Sequence, residues 1–253
     1  MRIPRFYLPA NYQPGLLVAL NKEQSHYALT VLRLKNGHKI QVFDGQGHQA
    51  DAQLQIINRR EVQVLLGDAI NHPATESTLN SLLVQGISRG ERMDYSLQKA
   101  VELGVSTIQP VFTERCEVRL DHEKADKRRQ QWQALVISAC EQSGRCVVPE
   151  VLPLISLADW FAHPLQLDYA KRTRGLVLDP LSQKTIMQIN EPEPLVPFAL
   201  LIGPEGGLTV REVEQAQLVG LQPVRLGPRI LRTETTAPVV LSLLQAAWGD
   251  LNQ

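Results

Sequence analysis

The sequence predicts a β-rich N-terminal region followed by an α/β domain built on a mostly parallel sheet. Three observations carry that expectation. Apolar residues alternate with a period of two through the first 70 residues, as in strands with one buried face. From residue 79 unbroken apolar runs alternate with stretches at three- and four-residue spacing, the rhythm of strands and helices in turn. The run Ala199–Gly203 then breaks into Pro204, Glu205 and the paired Gly206 and Gly207 before a helix opens. That order marks a ligand-binding edge in open α/β sheets.

In the first region Ile40 and Val42 alternate before the turn Asp44-Gly45-Gln46-Gly47, and Ala50, Ala52, Leu54 and Ile56 alternate after it. Val62, Val64 and Leu66 repeat the pattern. Short alternating runs around Asp-Gly turns predict an antiparallel barrel or sandwich. The expected division is a β-rich domain at 1–72, a linker at 73–78 and an α/β domain at 79–253.

Within the α/β domain, strands are expected at 79–87, 106–112, 174–178, 198–203 and 223–227. A short helix from Tyr95 to Leu103 should stop at Gly104, which suits the left-handed residue after a helix. Between Asp121 and Gly144, the residues Trp132, Leu135, Val136, Ala139 and Cys140 form a helical stripe. A last helix is expected from Pro238 to Trp248, and Glu191-Pro192-Glu193-Pro194 reads as a proline-rich loop.

The glycine loop has specific chemistry. Gly206 and Gly207 lack a Cβ, so the backbone can lie against a ligand. Thr209 and Glu212 fit a capping box that starts the next helix. A second segment, Val224–Ala237, repeats the grammar: a short strand, Val224–Leu226, gives way to Gly227-Pro228. A third loop follows Val177-Leu178 at Asp179-Pro180. Three such loops at one sheet edge would make a pocket whose polar contacts are backbone N–H and C=O groups, suited to an adenine edge.

Composition bounds the function. At 253 residues, 43% of them hydrophobic, the chain can bury a real core. It has no apolar run near the roughly 18 residues of a membrane span, and its start lacks a secretory apolar core. Cys116, Cys140 and Cys146 are odd in number and lack zinc-ligand spacing, so free thiols in a reducing cytoplasm and no metal are expected. His26, His38 and His48 are read as structural. Formal net charge is zero, which argues against a protein that attracts nucleic acid over its whole surface. Residues 1–72 carry eight Lys or Arg against five acids, a mild local bias. A dinucleotide fingerprint is absent, since GPEGG lacks the G-x-G-x-x-G order, and so is the Lys-Ser/Thr ending of a P-loop.

GPEGG at 203–207, LGPRILRTETTA at 226–237, KAVELGV at 99–105 and ACEQSGR at 139–145 together resemble the RsmE family of SPOUT-class RNA methyltransferases. The resemblance covers nearly the whole chain, including an opening Arg-x-Pro-Arg-Phe segment. It implies an α/β domain with a deep trefoil knot, a PUA-like N-terminal β-barrel and a homodimer. It also implies S-adenosyl-L-methionine as cofactor and N3 of a uridine in 16S ribosomal RNA as the methylated atom. The threaded backbone runs against general folding rules, so only the resemblance supplies it.

Carried over position by position, the resemblance places the cofactor at Leu178, Gly203, Gly206, Leu226, Gly227, Ile230 and Leu231, with Arg232 and Thr233 at the rim. It implies RNA contacts at Arg5, Arg33, Arg89, Arg115 and Arg145. Uridine N3 is protonated at neutral pH, so methylation needs a base, a cation that stabilises the uracil anion, or both. Arg232 is the first catalytic candidate, donating to O2 or O4. Glu205 and Glu234 are candidate proton acceptors; Glu234 alternatively caps a helix or orients Arg232, and Glu205 alternatively shapes its loop. Two other readings stay open: a non-catalytic RNA-binding module, and a methyltransferase acting on another RNA.

Overall fold

A computed structural model describes residues 3–71, 75–162, 175–192 and 196–252. Residues 73 and 74 of the expected linker, Arg174, and Glu193 and Pro194 of the proline-rich loop lie outside the described residues. The chain forms two compact units: residues 1–76 with 140–148, and residues 77–139 with 149–253. The first unit is thus discontinuous, a feature with no periodic signature in the sequence.

The first unit holds a five-stranded sheet in the order β1-β3-β4-β5-β2, from β1 (Arg5–Tyr7), β2 (Leu17–Ala19), β3 (Lys39–Phe43), β4 (Gln49–Asn58) and β5 (Glu61–Asn71). Ile40, Val42, Ala50, Ala52, Leu54, Val62, Val64 and Leu66 are all buried in one core, as their alternation requires. The expectation of purely antiparallel pairing needs correction, because β1 runs parallel to β3 with Arg5 opposite Gln41. A short helix, α1 (Lys22–His26), also interrupts the strands. Asn21 and Gln24 close its capping box, which replaces two missing backbone bonds.

Two polar clusters fix this unit. In the Asp44 turn, the carboxylate accepts from the backbone of Gln46 at 2.7 Å and of His48 at 3.0 Å. It also meets the His48 ring at 2.6 Å. Elsewhere the Glu76 carboxylate accepts from Arg145 Nε at 2.9 Å and Nη2 at 2.7 Å, and from the N–H groups of Cys146 and Val147 at 2.8 and 3.0 Å. Arg145 is only 5% exposed, so this carboxylate satisfies a buried charge and the backbone beside it.

The second unit carries a seven-stranded sheet in the order β12-β10-β11-β6-β7-β8, with β9 also on β7. Its strands are β6 (Ser81–Gly86), β7 (Thr107–Phe112), β8 (Glu150–Val151), β9 (Ile155–Ser156), β10 (Gly175–Leu178), β11 (Phe198–Ile202) and β12 (Leu221–Val224). Every pairing is parallel. The helices are α2 (Glu91–Glu102), α3 (His122–Ser143), α4 (Leu157–Ala162), α5 (Val210–Leu218) and α6 (Thr233–Trp248); α3 starts in this unit, and its last turn from Cys140 belongs to the first. All five residues of β11 are buried, as an unalternating apolar strand between two parallel neighbours must be.

Several boundaries differ from expectation; the helix read from Tyr95 starts at Glu91. The strand read at 223–227 is Leu221–Val224; the Arg225 N–H turns away to the carbonyl of Lys184 at 2.9 Å. Pro223 is tolerated because β12 is an edge strand. The last helix starts at Thr233 rather than Pro238, because the N–H groups of Thr235 and Thr236 already bond to the carbonyl of Arg232. By contrast Thr209 and Glu212 close the expected capping box on α5, and Gly104 takes φ 77° after α2.

Replacing Glu76 by alanine removes the carboxylate paired with a buried guanidinium and should lower stability by about 3 kcal/mol, read from the urea midpoint at unchanged slope. A Cβ on Gly86 would stand 2.6 Å from Pro204 Cδ and 2.7 Å from Pro204 N. Gly86→Ala should therefore cost about 2 kcal/mol through overpacking, measured by thermal unfolding.

Candidate active site at the carboxyl edge of the parallel sheet

Because β12, β10 and β11 are adjacent and parallel, the loops after them leave the sheet on one side. They enclose a cavity of about 490 Å³. Leu178 to Pro180 lie at the end of β10 and just after it, Ile202 to Glu205 with Gly207 and Leu208 at and after the end of β11, and Val224 to Glu234 at and after the end of β12. Leu178, Leu226 and Leu231 are half-buried apolar walls. Gly203 is required by packing, since a Cβ there would meet Gly207 C at 2.9 Å. Gly227 takes φ 74°, a left-handed conformation that disfavours any side chain.

Most of the expected cofactor residues are brought together here: Leu178, Gly203, Leu226, Gly227, Ile230, Leu231, Arg232 and Thr233 all line the cavity. Gly206 does not. Its place is explained by Arg115, whose Cβ and carbonyl oxygen both lie 3.0 Å from where a Gly206 Cβ would be. Ile230, expected at the cofactor, lines the cavity while 84% exposed.

A buried polar knot sets the back of the site. Thr233 Oγ1 donates to the carbonyl of Gly203 at 2.9 Å. It receives the Gln85 side-chain amide at 3.3 Å and the Ser88 hydroxyl at 3.5 Å. All three side chains are buried. The start of α6 is thereby tied to the loop after β11 and to the end of β6.

The rim is charged. Four arginines (Arg92, Arg225, Arg229 and Arg232) and three carboxylates (Asp179, Glu205 and Glu234) line the cavity. Glu205 Oε1 accepts from the Arg89 backbone N–H and from Arg92 Nη1, each at 3.0 Å. Burial pushes the Glu205 carboxyl up, but the N–H groups of Arg89 and Glu205 itself and the Arg92 guanidinium outweigh it and hold it below its ordinary value. Glu205 therefore stays ionised and is a weak proton acceptor, which favours its loop-shaping role over base catalysis. Glu234 Oε1 lies 4.0 Å from both Arg92 Nε and Arg232 Nη1. The Arg232 side chain is 78% exposed and free to meet a partner.

The five arginines expected to contact RNA divide sharply. Arg5 spends its guanidinium inside the first unit, on the carbonyl of Cys140 at 3.0 Å, on Gln49 at 3.0 Å and over the Phe43 ring at 4.7 Å. Arg145 is the buried partner of Glu76. Both guanidiniums are engaged within the first unit. Arg115 is exposed, yet Nη1 donates to the carbonyls of Gly206 and Leu208 at 3.1 and 3.3 Å. Arg89 is exposed and paired with Glu117 at 2.9 Å. Arg33 is exposed with φ 52°.

The sequence reading missed Arg92, Gln85 and Ser88. Their signal was present: Ser88-Arg89-Gly90 separates a buried strand from a helix, the same grammar as the glycine loop. Among the described residues no cluster of three or more His, Cys, Asp or Glu side chains is placed to hold a metal ion. No described helix is long and apolar enough to cross a membrane.

Comparison with known proteins agrees with this geometry. Residues 75–245 match the model of an RNA methyltransferase domain, and residues 20–67 match that of an RNA methyltransferase PUA domain. The chain is 35% identical to the ribosomal RNA small subunit methyltransferase E of Buchnera aphidicola, over 99% of each chain. A solved ribosomal RNA small subunit methyltransferase E from Neisseria gonorrhoeae, bound to S-adenosyl methionine, is 40% identical with TM-score 0.88, covering 99% of this chain and all of the other. A putative methyltransferase from Legionella pneumophila, in complex with the same cofactor, is 39% identical with TM-score 0.91 at the same coverage. The chain belongs to the ribosomal RNA small subunit methyltransferase E family.

Proposed function

We propose that this protein transfers a methyl group from S-adenosyl-L-methionine to N3 of a uridine in the 16S RNA of the small ribosomal subunit. The observation that carries the reading is the cavity enclosed by the loops after three adjacent parallel strands. Its volume falls within the roughly 300–1,000 Å³ typical of cofactor sites. The residues fit the group: Leu178, Leu226 and Leu231 offer half-buried apolar walls to an adenine. The backbone at Gly203 and Gly227 allows close approach, and Asp179, Glu205 and Glu234 offer negative charge to a cationic ligand. When bound, the cofactor supplies an electrophilic methyl carbon on a positively charged sulfur.

Transfer forms the N3–carbon bond as the sulfur–carbon bond breaks with its electron pair left on sulfur, and the N3 proton departs to a carboxylate or to water. Arg232 stands at the cavity mouth with most of its side chain exposed, where its guanidinium can stabilise negative charge on a uracil carbonyl oxygen. Glu234, beside it, orients that guanidinium or accepts the proton. The same reading includes the division at 1–72, 73–78 and 79–253, apart from residues 140–148, which pack into the first unit, an RNA-binding role for the N-terminal domain, and the cytoplasm as location. Arg33, Arg89 and Arg115 remain the exposed basic positions for RNA among those expected.

The trefoil knot and the homodimer also belong to this proposal. In support of a knot, the segment after edge strand β12 returns past β10 to bond Gly203 through Thr233. In support of a dimer, Val210, Leu218 and Ile230 are largely exposed apolar side chains.

Labelled cofactor incubated with small ribosomal subunits that lack the modification tests the reading, with the methyl group mapped afterwards; N3 of one uridine is the expected position. Arg232→Ala should keep cofactor affinity within a few-fold while lowering kcat about a hundred-fold, as for loss of one electrostatic stabiliser. Equal losses in both would make Arg232 a wall of the pocket instead.

A further inference from the structure

We propose that Arg92 is a second catalytic cation, placed to stabilise the uracil carbonyl opposite the one that Arg232 serves. The inference rests on the uridine-N3 reading and adds a residue to it. Its starting point is the nucleophile. N3 sits between two carbonyls, and once its proton leaves, the charge spreads over O2 and O4 together. One guanidinium facing one oxygen leaves the other half of that charge in a cavity that partly excludes water, where unpaired charge is costly.

The rim supplies two guanidiniums in one place. Arg92 Nε and Arg232 Nη1 each stand 4.0 Å from the same atom, Glu234 Oε1. They reach it from different directions in the chain. Arg92 comes from the first turn of α2, after β6, and Arg232 from the residue that precedes α6. Arg92 lines the cavity and its side chain is 44% exposed, so donors remain for a substrate after Nη1 has bonded Glu205. That bond is also what fixes it. Glu205 is itself held by the Arg89 backbone N–H at 3.0 Å, so the guanidinium is anchored before a substrate arrives. A preorganised donor costs no reorganisation when charge develops.

A plainer role is available: Arg92 neutralises Glu205 and clasps the glycine loop to α2. The two roles separate experimentally. Cofactor binding by calorimetry and methyl transfer to reconstituted small subunits would be measured for wild type, Arg92→Ala and the double variant Arg92→Ala/Glu205→Gln. Each would be assayed with uridine and with 5-fluorouridine in the RNA, whose N3 is more acidic and needs less help to ionise. Arg92→Ala should bind cofactor within a few-fold of wild type and lose about a hundred-fold in kcat on uridine. It should recover about ten-fold or more of that loss on 5-fluorouridine, and the double variant should stay as slow as the single one. Recovery in the double variant, or the same loss on both RNAs, would reduce Arg92 to a clasp. If wild type places its methyl group elsewhere than N3, the uridine reading itself fails; if it marks N3 and Arg92→Ala is as fast, only the role of Arg92 falls.

Discussion

The catalytic unit depends on one buried hydroxyl. Thr233 Oγ1 donates to the Gly203 carbonyl, while Gln85 and Ser88 direct their own donors at its oxygen. That small network joins the ends of β6 and β11 to the start of α6. Buried hydrogen bonds of this kind favour one arrangement, since a buried donor that loses its partner is expensive. The neighbours of Thr233 inherit the order. Arg232 on one side and Glu234 on the other line the cavity, flanking the residue tied to Gly203. The chemistry is set by the backbone first and by the charged side chains second.

Charge at the rim is arranged rather than accumulated. Four guanidiniums and three carboxylates share the lining, so the site attracts neither sign strongly. Its selectivity comes from position. The carboxylates suit a cationic cofactor and the guanidiniums suit a pyrimidine that becomes negative as it reacts. Zero net charge over the chain fits the same economy, since it gives no broad field for a polyanion.

Much of the scaffold is legible in the sequence, because its signals are local. The alternation from Ile40 to Leu66, the buried run of β11 and the Thr209–Glu212 box depend on nearest neighbours along the chain. What escaped depends on distant ones. Arg145 looks like any surface arginine until Glu76 is brought to it, and Arg5 likewise until Phe43 and Cys140 surround it. Arg92 meets Glu205 only because parallel pairing sets β6 beside β11. The early start of α6 came from a turn closed on the Arg232 carbonyl, against the preference of proline for a helix's first turn. The family motifs pointed to the cofactor and to a uridine substrate, which periodicity does not encode.

The discontinuity of the first unit carries a consequence for how the protein is made. Glu76 finds its donors on residues 145, 146 and 147, and domains form in order as a chain leaves the ribosome. The N-terminal module is therefore synthesised early yet completed late. Its final segment emerges only after β6, α2 and β7 of the catalytic unit have already been translated. The two halves mature as interleaved steps of one assembly, rather than one after the other.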